Sequence, residues 1–118
     1  MREVRVWSST CINAMQLVLD VDGEAIEYHK HGGNGGHLGG MALSHNEYIL
    51  EIYGRFGSYI DSLTFRTNLG QIRRFGGQGG HVDFIYASPA NYQIIGFWGR
   101  AGHIIDAIGV HIAPVIKV

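Results

Sequence analysis

Apolar and polar residues alternate along most of this chain. The alternation has a period of two, and its apolar positions are rich in Val, Ile, Thr, Tyr and Phe, which is typical of strands with one buried face. Turn-forming segments such as Val21-Asp22-Gly23 and Asn68-Leu69-Gly70 separate the alternating stretches. No window sustains helical periodicity between caps. The pattern therefore predicts an all-β chain, with strands over residues 3–7, 15–20, 48–53, 62–67, 82–86, 93–98 and 107–112.

The composition favours one ordered domain. A chain of 118 residues and 13.0 kDa has room for a single hydrophobic core, so we assign residues 1–118 to one domain. Eighteen glycines are about twice the usual share. Because 46% of the residues are apolar and only two are proline, the excess indicates turns and not disorder. We expect Trp7 and Trp98 in the core.

The charge balance excludes some classes of partner. Nine basic and ten acidic side chains give a net charge of −1, so no large field attracts the chain to nucleic acid or to anionic lipid. No segment approaches the ~20 apolar residues of a membrane span. The first residues show no signal-peptide core. We expect neither nucleic acid nor a membrane as partner, and the sequence leaves a cytoplasmic location and non-classical secretion open.

An internal repeat divides the chain into three units. Residues 54–61, GRFGSYID, return as residues 99–106, GRAGHIID, and each copy leads into a predicted strand. A fainter copy, STCIN, occupies residues 9–13, where Asn13 replaces the Asp. The run Gly-Gly-x-Gly-Gly also occurs twice, at 32–36 and 76–80. The repeat predicts three similar units of about one Greek-key sheet each.

A loop that ends in Asp beside a glycine run has the chemistry of a sugar site. A carboxylate accepts hydrogen bonds from two neighbouring hydroxyls of a hexose. Glycine lets backbone N–H donors come close to the ligand, because it has no Cβ and accepts positive φ. A tyrosine near the Asp can lie against the apolar face of the sugar.

Three stretches together resemble the jacalin-related lectins: HGGNGG at 31–36, SLTFRTN at 62–68 and GFWGRAGHIIDAIGV at 96–110. The paired glycine runs are similar to those of griffithsin-like lectins. The resemblance covers nearly the whole chain in order. It implies a β-prism of three Greek-key sheets with pseudo-threefold symmetry, which binds mannose- or glucose-type hexoses at one end without metal, cofactor or catalysis.

The resemblance also implies the site residues of each unit. In the family, each site joins a Gly-x-x-x-Asp loop to a glycine run of the same sheet. The middle unit matches completely, through Gly57, Ser58, Tyr59, Ile60 and Asp61 with Gly79 and Gly80. The C-terminal unit matches only through its Asp loop, which is Gly102, His103, Ile104, Ile105 and Asp106. The first unit keeps Gly35 and Gly36 but has Asn13, which accepts fewer hydroxyls than Asp.

The family pattern further implies that the third sheet lacks its first strand here. A Gly-Pro-Trp-Gly-Gly-like segment would stand ahead of Arg2, whereas Met1 begins where the second strand should. The missing segment leaves the choice between mannose and galactose open. Open apolar sheet edges tend to be covered by another chain, so we expect a homo-oligomer, most simply a two-fold dimer.

Seven histidines raise a zinc hypothesis, because His29, His31, His37 and His45 lie close together. His29 and His31 share a strand face, but no Cys or carboxylate completes a known ligand spacing. We therefore expect no metal.

The sequence also bears on two other functional classes. Glycoside hydrolysis needs two carboxyl groups roughly 5–10 Å apart, and Asp61 and Asp106 are expected on different sheets, so we expect no enzyme. A non-catalytic structural or protein-interaction module with decayed sugar sites remains the alternative, because one fold hosts many functions.

Overall fold

The computed structural model describes residues 1–116. These residues form eleven strands and no helix, so the predicted all-β class is confirmed. None of them belongs to a helix with the length and apolar character to cross a membrane. The strands are β1 (Glu3–Ser8), β2 (Ile12–Val21), β3 (Glu24–Glu27), β4 (His31–Gly32), β5 (His37–Ala42), β6 (Ile49–Phe56), β7 (Ile60–Thr67), β8 (Ile72–Gly76), β9 (Val82–Ala87), β10 (Tyr92–Ala101) and β11 (Ile105–Pro114).

The strands form three antiparallel units around one core. The first has the order β3-β2-β1-β5, with β4 also paired to β2. The second has the order β8-β7-β6-β9. The third is the hairpin of β10 and β11, which joins the second unit through the pair Ile94 and Ile49. The three predicted units are present, and within residues 1–116 the third contributes two strands.

The sequence repeat is also a repeat of backbone geometry. A register shift interrupts the strand pairing just before each Asp-type loop, at Trp7/Ser8, Arg55/Phe56 and Arg100/Ala101. In each loop one N–H donates to the carbonyl two residues later, from Ser9 to Cys11, Gly57 to Tyr59 and Gly102 to Ile104, each at 3.0 Å. The three loops therefore share one conformation although their side chains differ.

An aromatic cluster connects the three units in the core. Phe65 on β7 is fully buried, and its ring makes edge contacts with Phe75 on β8 and Phe97 on β10, at centroid distances of 5.9 and 5.8 Å. Phe75 packs on Gly39 of β5, where a Cβ would come within 2.9 Å of the ring. Around this cluster lie the fully buried Val4, Val6, Ile12, Met41, Ile49, Ile52 and Leu63.

The alternating pattern does not predict β3, β4, β5 or β8. All four residues of β3 are exposed, and so are the first three of β8, so neither strand shows a buried face in its sequence. β5 contains Gly39-Gly40, which interrupts the apolar pattern. These strands form because a neighbouring strand pairs with them, and a local sequence pattern does not report that context.

Neither tryptophan is fully buried in the core as expected. Trp7 is half-buried, and the expectation for Trp98 is wrong. Trp98 is 61% exposed. Successive side chains of a strand point to opposite faces, and Phe97 takes the position that faces the core. The indole of Trp98 lies over Gly109 on β11, where a Cβ would overlap the ring.

Candidate functional site

The loops of the three units meet at one end of the protein. Gly33, in the first glycine run, packs against the third Asp-type loop, where a Cβ would overlap the carbonyl oxygen of His103. Gly77, in the second run, packs against the first such loop, where a Cβ would lie 2.5 Å from the carbonyl oxygen of Thr10. Each glycine run therefore touches a loop from another unit, and this contact brings the candidate sites to a common face.

Each glycine run is also bonded to the Asp-type loop of its own unit. The N–H of Gly33 donates to the carbonyl of Asn13 at 3.1 Å, and the N–H of Gly77 donates to the carbonyl of Asp61 at 2.9 Å. The run and the loop are thus held together by the same backbone hydrogen bond in both units. The pairing of loop and glycine run that the family resemblance implied is present in units one and two.

In the middle unit the Asp61 carboxylate lies directly against its glycine run. A Cβ on Gly79 would be 2.9 Å from Oδ1, and a Cβ on Gly80 would be 3.0 Å from Oδ2. Gly80 also has a φ of +97°, which L side chains rarely adopt. Glycine is therefore required here both for conformation and for the close approach of backbone to carboxylate.

The rest of the middle loop divides into accessible and buried residues. Gly57 lies beside the Asp61 carboxylate, where a Cβ would be 3.9 Å from Oδ2. Ser58 is exposed and Tyr59 is half-buried, so both side chains are accessible from the loop face. Ile60 is buried in the core with 3% of its surface exposed. Only backbone atoms of Ile60 are therefore available to a ligand.

Two side chains beside the middle loop, His81 and Arg55, were not predicted from the sequence. The ring of His81 lies 3.4 Å from the Cβ position of Gly57. Arg55 borders Gly80 and forms an ion pair with Asp83, with 3.3 Å between Nε and Oδ1. The repeat carried a signal for His81, because a histidine follows both glycine runs, as His37 and His81.

The first unit has the same frame with a different acceptor. The side-chain amide of Asn13 lies against its glycine run, where a Cβ on Gly36 would be 2.6 Å from Oδ1 and one on Gly35 would be 3.1 Å from Nδ2. The hydroxyl of Ser9 donates to Asn13 Oδ1 at 2.9 Å. This bond uses one of the two lone pairs of the only acceptor oxygen of the amide, so the first unit offers a ligand fewer acceptor positions than a carboxylate would, together with the Nδ2 donor.

The third unit presents its Asp loop differently. Asp106 is exposed, whereas Asp61 is buried. Apart from its two chain neighbours, no residue of 1–116 has an atom within 4 Å of the Cβ position of Gly102, so the contact of this loop with a glycine run is at His103, where Gly33 packs, and not at Gly102. His103 is exposed and Ile104 is half-buried, whereas the Ile105 side chain is in the core. Asp106 instead borders a cleft of about 900 Å³ between the first and third units.

The histidine-rich segment does not assemble a ligand set in the described part of the chain. Among residues 1–116, no three His, Cys, Asp or Glu side chains lie close enough together to hold a metal ion. His29 and His31 line the cleft beside Asp106, whereas His37 and His45 do not.

Comparison with protein families gives one match over most of the chain. Residues 1–111 match the family described as "Jacalin-like lectin domain". Among curated proteins, Jacalin-related lectin 5 of Arabidopsis thaliana is 35% identical over 105 residues, and Jacalin-related lectin 3 is 31% identical over 126 residues. The matches cover 83% and 98% of this chain but only 14% and 20% of those proteins.

Comparison with solved structures gives the same fold. The mannose-binding lectin from champedak is 28% identical and superposes with a TM-score of 0.85, over 96% of this chain and 82% of that one. Artocarpin complexed with Me-α-mannose is 26% identical with a TM-score of 0.85, over 96% and 83%. The jacalin-related lectin from Ananas comosus is 29% identical with a TM-score of 0.85, over 96% and 81%. These similarities confirm the predicted β-prism.

Proposed function

Because this chain belongs to the family of jacalin-like lectin domains, we propose that it is a non-catalytic lectin domain that binds mannose- or glucose-type hexoses at its loop face. The observation that carries the proposal is the Asp61 carboxylate held within 3.0 Å of the Cβ positions of Gly79 and Gly80. This places a strong acceptor beside backbone that a ligand can approach closely.

In the proposed complex the two parts of the middle site have complementary roles. Asp61 accepts hydrogen bonds from two neighbouring hydroxyls of the hexose, and charge-assisted bonds of this kind are the stronger ones. Backbone N–H groups of the loop and the glycine run donate to other sugar oxygens. Tyr59 lies beside the Asp and packs on the apolar face of the ring. Mannose is the preferred choice because the champedak and pineapple lectins are described as mannose-binding.

We propose that the three loops differ in their affinity for sugar. The middle loop has both a carboxylate and a glycine run. The third, with Gly102, His103, Ile104, Ile105 and Asp106, has the carboxylate alone within residues 1–116. The first, with Gly35 and Gly36, has Asn13 in place of the carboxylate, and that amide is already bonded to Ser9. We therefore assign the principal site to Asp61.

The test is the affinity for methyl α-mannoside, measured by calorimetry in an Asp106→Asn background that isolates the middle site. Asp61→Asn should weaken binding by ~1–3 kcal/mol, or roughly 5- to 150-fold, because Asn keeps one acceptor and adds a donor. Asp83→Asn is the matched control, since Asp83 is exposed and pairs with Arg55. Unchanged mannose affinity in the Asp61 variant would contradict the proposal and favour a protein-interaction module.

We also propose that the chain forms a homo-oligomer. Val82, Ile85 and Tyr86 are exposed on β9, which in the described structure pairs only with β6. An apolar edge strand of this kind is a surface that another chain tends to cover. Linked copies would raise the avidity of weak monosaccharide sites on a multivalent glycan. Sedimentation equilibrium tests this directly, because a single 13.0 kDa species at micromolar concentrations would refute it.

A further inference from the structure

The second glycine run, residues 76–80, is held from two sides. On one side, the N–H of Gly77 donates to the carbonyl of Asp61 at 2.9 Å. On the other side, the guanidinium of Arg74 donates from Nη1 to the carbonyl of Gly76 at 3.3 Å and from Nη2 to the carbonyl of Gly77 at 2.6 Å. Hydrogen bonds from an ionised donor are stronger than those between neutral groups. Arg74 therefore fixes two successive carbonyls of the run with one planar group.

These contacts determine where the N–H groups of the run point. The C=O and the N–H of a trans peptide point in opposite directions, and residues 1–116 contain no cis peptide. Because both carbonyls face Arg74, the N–H groups of Gly77 and Gln78 point away from it, toward the Asp61 loop. The hydrogen bond from Gly77 to Asp61 agrees with this direction. Successive N–H groups that point to one side form a concave donor site.

The N–H of Gln78 is a donor that the fold itself does not use. Among residues 1–116 no hydrogen bond is found for it, and Gln78 is exposed. The next two residues, Gly79 and Gly80, lie against the Asp61 carboxylate. A sugar that bonds to this carboxylate is therefore close to a donor whose direction is already set. A donor of this kind favours binding, because less of the loop has to be ordered when the ligand arrives.

The first unit does not have this guanidinium clamp. Lys30 stands two residues before the first glycine run, as Arg74 stands before the second. The Nζ of Lys30 lies 4.2 Å from the centroid of the Trp7 ring, and no hydrogen bond found among residues 1–116 joins it to the run. The N–H of Gly33 nevertheless donates to the carbonyl of Asn13, as Gly77 does in the middle unit. The N–H side of the frame is thus common to both units, whereas the carbonyl side is fixed by a side chain in the middle unit.

We infer that Arg74 is a positioning residue of the middle sugar site. Its guanidinium holds the backbone of residues 76–78 so that the N–H of Gln78 donates to an oxygen of the hexose bound at Asp61. The inference rests on the proposed lectin function. Arg74 acts through the glycine run and does not itself touch the sugar, so its loss weakens binding by releasing the donor and not by removing a contact.

The first measurement is the affinity for methyl α-mannoside by calorimetry, in the Asp106→Asn background. Arg74→Met removes the donors and keeps an unbranched stem, and it should weaken binding roughly 3- to 10-fold, the effect of losing one ordinary hydrogen bond. Arg73→Met is the matched control. Arg73 is exposed on the same strand, and its guanidinium lies 6.0 Å from the centroid of the Phe75 ring. The control should stay within about twofold of the parent, and an equal loss in the two variants would overturn the inference.

Amide NMR distinguishes positioning from a general effect on stability. Methyl α-mannoside should shift the Gln78 amide proton downfield as it gains a sugar partner, and the shift should be smaller in Arg74→Met. Without sugar, the Gly77 amide should exchange several-fold faster in Arg74→Met than in Arg73→Met, while the urea midpoints of the two variants agree.

The exchange measurement needs no ligand, so it also separates two kinds of failure. Equal exchange of the Gly77 amide in the two variants would overturn the inference whether or not the sugar binds. Mannoside affinity of the parent protein that does not depend on Asp61 would instead contradict the lectin function on which the inference rests.

Discussion

Replacement of Gly80 by Ala tests whether the glycine run positions the Asp61 carboxylate. The new Cβ would lie 3.0 Å from Asp61 Oδ2 and 2.9 Å from the Cβ of Arg55, both closer than ordinary van der Waals contact. It would also have to adopt a φ of +97°. A strained backbone conformation of this kind costs on the order of 1–3 kcal/mol. The contact with Oδ2 adds a second effect, because the carboxylate must turn away from the loop face.

Gly70→Ala separates these two effects. Gly70 has a φ of +87°, close to that of Gly80, but apart from its two chain neighbours no residue of 1–116 has an atom within 4 Å of its Cβ position. Gly70→Ala should therefore lose only the free energy of the strained backbone, about 1–2 kcal/mol by urea denaturation, and Gly80→Ala should lose at least as much because its Cβ also meets Arg55 and Asp61. Only Gly80→Ala should also lose mannose affinity, by roughly tenfold or more in calorimetry, because only there is the acceptor displaced. Mannose binding that is equal in the two variants would refute the idea that this glycine positions Asp61.

Two further predictions concern other parts of the chain. Asn13→Asp should give the first unit a carboxylate against Gly35 and Gly36, so calorimetry should find one more mannose site per chain. An unchanged number of bound mannose molecules would contradict the idea that the loops of the first and middle units are equivalent. Glu47 accepts hydrogen bonds from the Ser44 N–H and the Thr67 hydroxyl, which hold its pKa below the ordinary 4.5. The unfolded chain thus binds this proton more readily, so the stabilisation is present above pH 4.5 and is lost as the pH falls below it. As the pH falls below 4.5, the thermal unfolding temperature of Glu47→Gln should therefore decrease less than that of the wild type.

The repeat made the middle unit predictable from sequence. The loop residues 54–61 and the glycine run 76–80 stand out because both recur elsewhere in the chain, and the family resemblance then implied which loop pairs with which run. The exposure of Asp106 beside a cleft was not predictable in the same way. It depends on which segments of the first unit come to lie opposite β10 and β11, and that is a property of packing between units.

Trp98 shows the limit of reasoning from residue type alone. A tryptophan in an apolar strand is usually expected in the core. Phe97 and Trp98 are adjacent, so only one of them can face inward, and the sequence does not say which. In the structure Phe97 meets Phe65, and Trp98 lies on Gly109. Gly109 is the signal that could have decided the question, because a glycine opposite a large ring leaves room for it.

The three Asp-type loops separate what the fold needs from what a ligand contacts. The residue before the acceptor position is Ile12, Ile60 or Ile105, and all three are buried. The same N–H to carbonyl bond at 3.0 Å closes each loop. These features anchor the loop, so the acceptor itself is free to differ among the units: an amide bonded to Ser9, a buried carboxylate against glycine, and an exposed carboxylate. Because the anchor is independent of the acceptor, three chemically different sites are compatible with one repeated backbone, and a change at an acceptor should alter ligand binding much more than folding.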